Sequence, residues 1–89
     1  MLANPSGQFA NVTATGQVFK GGGRLLGFYV NSTTGGTIVL NDSDGVTAAA
    51  MSGTITPAIG WHQFPATVQR GVAVTIANTL NVTLFFAPA

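Results

Sequence analysis

Residues 71–86 carry their apolar points on every second position. Val72, Val74 and Ile76 alternate with Ala73 and Thr75; Leu80, Val82, Leu84 and Phe86 alternate with Asn81, Thr83 and Phe85. A period of two is the signature of a strand with one buried face, and no helix can hold it. The rest of the chain agrees. Threonine and valine, both β-branched, are abundant, while among helix formers lysine occurs once and glutamate not at all. Before residue 72 no stretch of eleven or more positions is free of glycine, so no long helical spacing of apolar residues survives there. Turn residues return about every eight to twelve positions, the rhythm of a sandwich or barrel. The expected fold class is all-β: a small antiparallel β-sandwich or jelly-roll-like barrel of about six to eight short strands. Residues 1–9, with Pro5, Ser6 and Gly7, read as an N-terminal arm, and residues 10–89 as a single domain.

The expected strands follow from the turns between them. Residues 11–19 form the first, kinked at Gly16. Residues 24–31 form the second, with Leu26, Phe28 and Val30 on one face and Leu25 and Tyr29 on the other. Gly27 between them leaves room for a neighbouring ring. A turn at 31–36 precedes a strand at 37–42, and Asp42-Ser43-Asp44-Gly45 is the next turn. Residues 46–55 fit a strand or a short helical turn. Residues 60–65 fit a short bent strand with Trp61 and Phe64. Residues 71–77 and 79–86 form a closing hairpin around Asn78-Thr79. Leu84-Phe85-Phe86 is apolar on both faces, so this strand is either central or covered by another chain.

Such a short chain has a thin core. An 89-residue domain buries only about 60–65% of its unfolded surface. With no cysteine and one histidine, neither a disulfide nor a thiolate metal site can add support. Only 6% of residues are charged, against roughly 25% in ordinary soluble domains. The ionised side chains are Lys20, Arg24, Asp42, Asp44 and Arg70. So little charge leaves much of the surface suited to contact with other protein. A net charge of +1 supplies no basic patch, so nucleic acid is not an expected partner. No apolar run approaches the ~20 residues of a membrane helix, and no membrane association is expected. The start, MLANPSGQFANVT, lacks the basic and apolar regions of a signal peptide. Synthesis in a cytoplasm is expected.

Each candidate for chemistry has a plainer explanation. Gly21-Gly22-Gly23 precedes a strand, and no Lys-Ser or Lys-Thr follows it. A phosphate loop needs both that pair and a helix, so a hairpin turn is expected instead. Asp42 and Asp44 begin like a calcium loop, but the chain has no glutamate to close one. They are expected to bind nearby backbone N–H groups. His62 has no serine in a nucleophile elbow and no orienting acid beyond that one turn. It is expected to donate to a backbone carbonyl near the Trp61 loop or to lie in an interface. Two carboxylates in one turn cannot flank a sugar ring from both sides. No catalytic residue, metal or cofactor is assigned, and the chain is expected not to be an enzyme. Tyr29, Phe28, Trp61 and Phe64 could form a carbohydrate platform, although such rings more often serve core or interface. Asn-x-Ser/Thr sequons begin at Asn11, Asn31, Asn41 and Asn81, as expected by coincidence in a chain rich in Asn and Thr.

Three stretches together carry a resemblance: GRLLGFYVNSTTGGTIVLNDSDG, TITPAIGWHQFP and RGVAVTIANTLNVTLFFAPA. From Thr13 to Phe86 the chain resembles small all-β virion structural proteins of tailed bacteriophages. The motifs are structural and none is catalytic. The resemblance implies a capsid decoration, or cement, protein on the outer surface of the head. It would be a homotrimer or other homo-oligomer that bridges subunits of the major capsid protein and stabilises the shell. Interface candidates are Leu2 and Phe9 in the arm, Trp61 and Phe64 as aromatic anchors with Tyr29, and Leu84, Phe85 and Phe86 in the last strand. The alternative is a carbohydrate- or receptor-binding module of a head spike or tail fibre.

Overall fold

The computed structural model describes residues 8–88. It is all-β, with no helix among the described residues. The strands are β1 Gln8–Val12, β2 Gly16–Lys20, β3 Gly23–Ser43, β4 Ala48–Ala50, β5 Gly60–Val68 and β6 Gly71–Pro88. Every pairing is antiparallel, within one sheet. The long strands β3 and β6 pair with each other at its centre. β1 and β2 both flank β6, while β4 and β5 both flank β3.

Two of the strands are too long to be straight. The 21 residues of β3 would run about 70 Å at ~3.3 Å per residue. The molecule's longest dimension is 40 Å. Both strands therefore fold over together. Their shared register slips between Val30 and Ser32 and again between Thr34 and Gly35, facing Thr79–Asn81. At the bend Gly35 (φ 63°) and Asn78 (φ 61°) are both left-handed. Asparagine tolerates that region better than most residues. Here its Nδ2 also donates to the Gly35 carbonyl oxygen at 2.9 Å.

The fold-over makes two layers. One contains β1, the second half of β6, the first half of β3, and β5. The other contains β2, the first half of β6, the second half of β3, and β4. Phe19 pairs near the start of β6, and Phe86 stands near its end. Their rings nevertheless stack at 4.6 Å and 16°, because the layers face each other. Leu25, Phe28, Val30, Val82 and Leu84 from the first layer meet Ile38, Leu40, Val72 and Val74 from the second in one buried cluster. Complete burial of such a side chain contributes about 1.5–3 kcal/mol.

Several local expectations change. Residues 71–77 and 79–86 do not pair as a hairpin: they are two halves of β6, and both pair with β3. The turn expected at 31–36 is likewise the bend of a continuous strand. Residues 11–19 are not one strand. They divide between β1 and β2, and across the break Thr15 Oγ1 accepts from the Ile76 N–H and donates to the Ile76 carbonyl. The glycines at 21–23 do not turn a hairpin, since β2 and β3 have no shared ladder. They carry the chain from one layer to the other, with the Gly21 N–H on the Arg70 carbonyl. Leu25, which simple alternation places with Tyr29 on the face opposite Phe28 and Val30, is fully buried with those two, while Leu26 is half-buried. A register slip between Leu25 and Gly27 gives β3 one extra residue against β6 and switches the face. Opposite it on β5 stands Pro65, which has no N–H to offer the ladder.

Of residues 46–55 only Ala48–Ala50 form a strand, β4 on Asn41–Ser43; Ile55 makes an isolated bridge, exchanging backbone hydrogen bonds with Ile38, and the remaining residues are bends and irregular chain, with no helical turn. Gln8 and Phe9, assigned to the arm, pair with Phe86 and Phe85 and belong to the sheet. The remaining arm and Leu2 lie outside the described residues.

Candidate functional site

The interface candidates separate by depth. Leu84 and Phe86 are buried in the chain's own core, which removes them as contacts for another subunit. Of the two explanations for their strand, the central position holds: β6 lies between β1 and β3. Phe64 is half-buried and packs against the core. Phe9 (73% exposed), Trp61 (50%) and Tyr29 (43%) remain accessible, with Phe85 half-buried among them.

These four rings share the outer face of the first layer. Phe9 is directly opposite Phe85, Phe85 opposite Gly27, and Tyr29 opposite both Thr83 and Trp61. The Trp61 indole lies over Gly27. A Cβ at Gly27 would stand 2.7–2.8 Å from two of its ring carbons and 2.5 Å from the His62 carbonyl oxygen. Gly27 therefore leaves room for a ring, as the sequence suggested. The indole and the Phe85 ring meet edge to face, with centroids 5.6 Å apart and planes at 69°, a favourable quadrupole geometry. Two neighbours thus hold the ring while half of it faces water.

A polar cluster borders the rings on the same face. Asn81 Oδ1 accepts from Asn11 Nδ2 at 2.7 Å and from Asn31 Nδ2 at 3.1 Å. Thr83 Oγ1 accepts from the same two amides at 3.4 and 3.1 Å. In the sequence these asparagines stand out only as sequons. An available signal was the spacing itself: in a strand, Asn-x-Thr puts Asn and Thr on one face. Asn81 and Thr83 are placed that way, and three of the four sequon asparagines gather here.

Asp44 and the histidine behave as expected, whereas Asp42 bonds not its own turn but the distant Gln69-Arg70 segment between β5 and β6. Asp44 Oδ1 accepts from the Val46 and Thr47 N–H groups at 2.9 and 2.8 Å. Asp42 accepts from the N–H groups of Arg70 (2.8 Å) and Gln69 (3.2 Å). Burial raises the Asp42 pKa, but these backbone donors, with that of Gly71 and the Arg70 charge, outweigh it and hold the carboxyl below its ordinary value. The Thr47 and Val46 donors likewise lower Asp44. His62 Nε2 donates to the Ala58 carbonyl at 2.7 Å, and its ring stacks on Phe28 at 5.1 Å. No three of His, Asp and Glu gather among the described residues.

A second uncommitted surface follows the sheet edge. From Gly45 to Gln69 the sequence contains no Asp, Glu, Lys or Arg. This stretch includes β4 and β5, both beside β3. Ala48–Ala50 are exposed, as are Val46 (93%) and Ile59 (65%). Edges are normally guarded by charge or proline; here Pro65 is the guard on β5. The outer face of the second layer has a shallow hollow of about 420 Å³, lined by small uncharged residues such as Thr15, Gln17, Asn41 and Ala73. It contains no aromatic ring.

No known protein family, curated protein or solved structure matches this chain.

Proposed function

We propose that this chain is a non-enzymatic structural protein that completes its surface by binding other subunits, in the manner of a capsid decoration protein on a phage head. The observation that carries the reading is the charge-free edge from Gly45 to Gln69, with Val46, Ile59 and the three alanines of β4 uncovered. A thin core without disulfides gains most from neighbours that cover such an edge. Copies of the chain form a homo-oligomer, most simply a trimer. The trimer spans adjacent copies of the major capsid protein and resists their separation by apolar burial. The protein then resides on the virion surface after synthesis in the host cytoplasm.

The test is the mass of the purified protein in solution, followed by co-sedimentation with undecorated phage heads. The expected result is a closed oligomer that binds heads. Val46→Lys with Ile59→Lys is expected to lower the oligomer mass, weaken head binding, or both, with the circular dichroism of a folded sheet retained. A monomer at high concentration that binds no heads overturns the proposal. A second reading is a carbohydrate- or receptor-binding module, favoured by the exposure of Trp61 and Tyr29.

A further inference from the structure

The outer face of the first layer lies away from the exposed alanines of β4 and shares only Trp61 of β5 with the charge-free stretch, and its rings and amides form a patterned surface. We infer that Phe9, Tyr29, Trp61 and Phe85, with Asn11, Asn31, Asn81 and Thr83, bind a neutral oligosaccharide. This gives a ligand class to the carbohydrate-binding reading and does not depend on attachment to a head.

Three features favour a sugar over a protein partner. First, the Trp61 indole rests on the backbone at Gly27 and is braced by Phe85. It is fixed before any ligand arrives, so little side-chain entropy is lost on binding. A flat, half-exposed ring is a stacking surface for the C–H face of a pyranose. Second, the adjoining groups are amides and a hydroxyl, not aliphatic side chains. Asn81 Oδ1 and Thr83 Oγ1 already accept hydrogen bonds within the cluster. The Oδ1 atoms of Asn11 and Asn31 and the Nδ2 of Asn81 have no side-chain hydrogen bond among the described residues. A dry protein interface would strand these groups at a desolvation cost. Sugar hydroxyls, each both donor and acceptor, would satisfy them. Third, none of these residues is ionised. The nearest ionised residue along β3 is Arg24, beyond Gly27 toward the start of the strand. The complement to such a face is an uncharged ligand.

The dimensions select a chain over a single ring. From β1 to β5 the face crosses four strands, about 14 Å at ~4.8 Å per interval. Phe9 at one side and Trp61 at the other are therefore within reach of one linear oligosaccharide of several units, not of a monosaccharide.

Trp61 is the chain's only tryptophan, so its fluorescence reports on this face alone. The experiment titrates the full chain with neutral oligosaccharides of glucose, galactose, mannose and N-acetylglucosamine, with heparin as the charged comparison. The expected result is a saturable change in emission with at least one neutral series, insensitive to salt. Tyr29→Ala should weaken binding about tenfold, the value of one aromatic contact. Asn81→Ala should weaken it too, while Lys20→Ala should not. Trp61→Ala removes the reporter and a packed ring, so it is read by calorimetry on protein shown to be folded. A flat response of folded protein to every neutral series overturns the inference. So does binding confined to heparin, or binding unchanged in Tyr29→Ala and Asn81→Ala. A polypeptide that shields Trp61 from a quencher while no sugar does so overturns it as well. The sugar titrations leave head binding to its own test, since Val46→Lys with Ile59→Lys is read by co-sedimentation with heads.

Discussion

At the scale of single residues, Gly27 is where packing and the candidate site meet. Any side chain there collides with the Trp61 ring and the His62 carbonyl. Gly27→Ala is therefore expected to cost about 1–3 kcal/mol, the range for overpacking. Urea unfolding measures that loss, and a red shift of Trp61 emission would mark the displaced indole. Asp42 shares the acid-side pH dependence with Asp44. Its folded pKa lies below the ordinary 3.8, so the folded state binds the proton less readily than the unfolded chain. Its stabilising contribution is complete above the ordinary value and is lost as pH falls through the folded one. Asp42→Asn should be less stable than the parent at neutral pH, and the two should converge in acid. Parallel denaturant melts across that range would check this. The requirement for glycine beside a ring was legible in the pattern Leu-Gly-Phe-Tyr. Which ring would fill the space was not, because Trp61 reaches Gly27 only through the pairing of β5 with β3.

At the scale of elements, the two long strands turn on Asn78 and Gly35. Asn78→Val must place a β-branched residue in the left-handed region. The expected cost is about 1–2 kcal/mol from the backbone, with the bond to Gly35 lost in addition. Asn78→Gly loses that bond but not the backbone geometry, and should be the milder of the pair in thermal unfolding. The alternation in residues 71–86 identified strands correctly and misjudged their connection. A polar Asn-Thr between two apolar runs is compatible with a hairpin or with a bend. The choice rests on which partner each run finds, and both find β3. The same ambiguity joined β1 to β2 on paper. Simple alternation puts Leu25 on the wrong face for a related reason: a single inserted residue reverses every later side chain, and alternation alone does not reveal where it falls.

At the scale of the whole molecule, one apolar cluster holds two layers together. Leu84 has no exposed surface, and Leu84→Ala should cost about 2–5 kcal/mol. A domain of this size is stable by roughly 5–13 kcal/mol at most, so the variant should be partly unfolded on mild warming, as calorimetry would show. The sequence by itself determined the strand content, the absence of disulfide support, the scarcity of charge and the residues available for stacking. These follow from side-chain chemistry and from a period that any strand must obey. Tertiary structure alone decided that β3 and β6 bend together and that Leu84 and Phe86 face inward. It also decided that Asn11, Asn31 and Asn81 meet beside Tyr29 and Trp61. Those outcomes depend on contacts between residues far apart in the chain, where the energy of each pairing is set by what else the fold has already brought alongside.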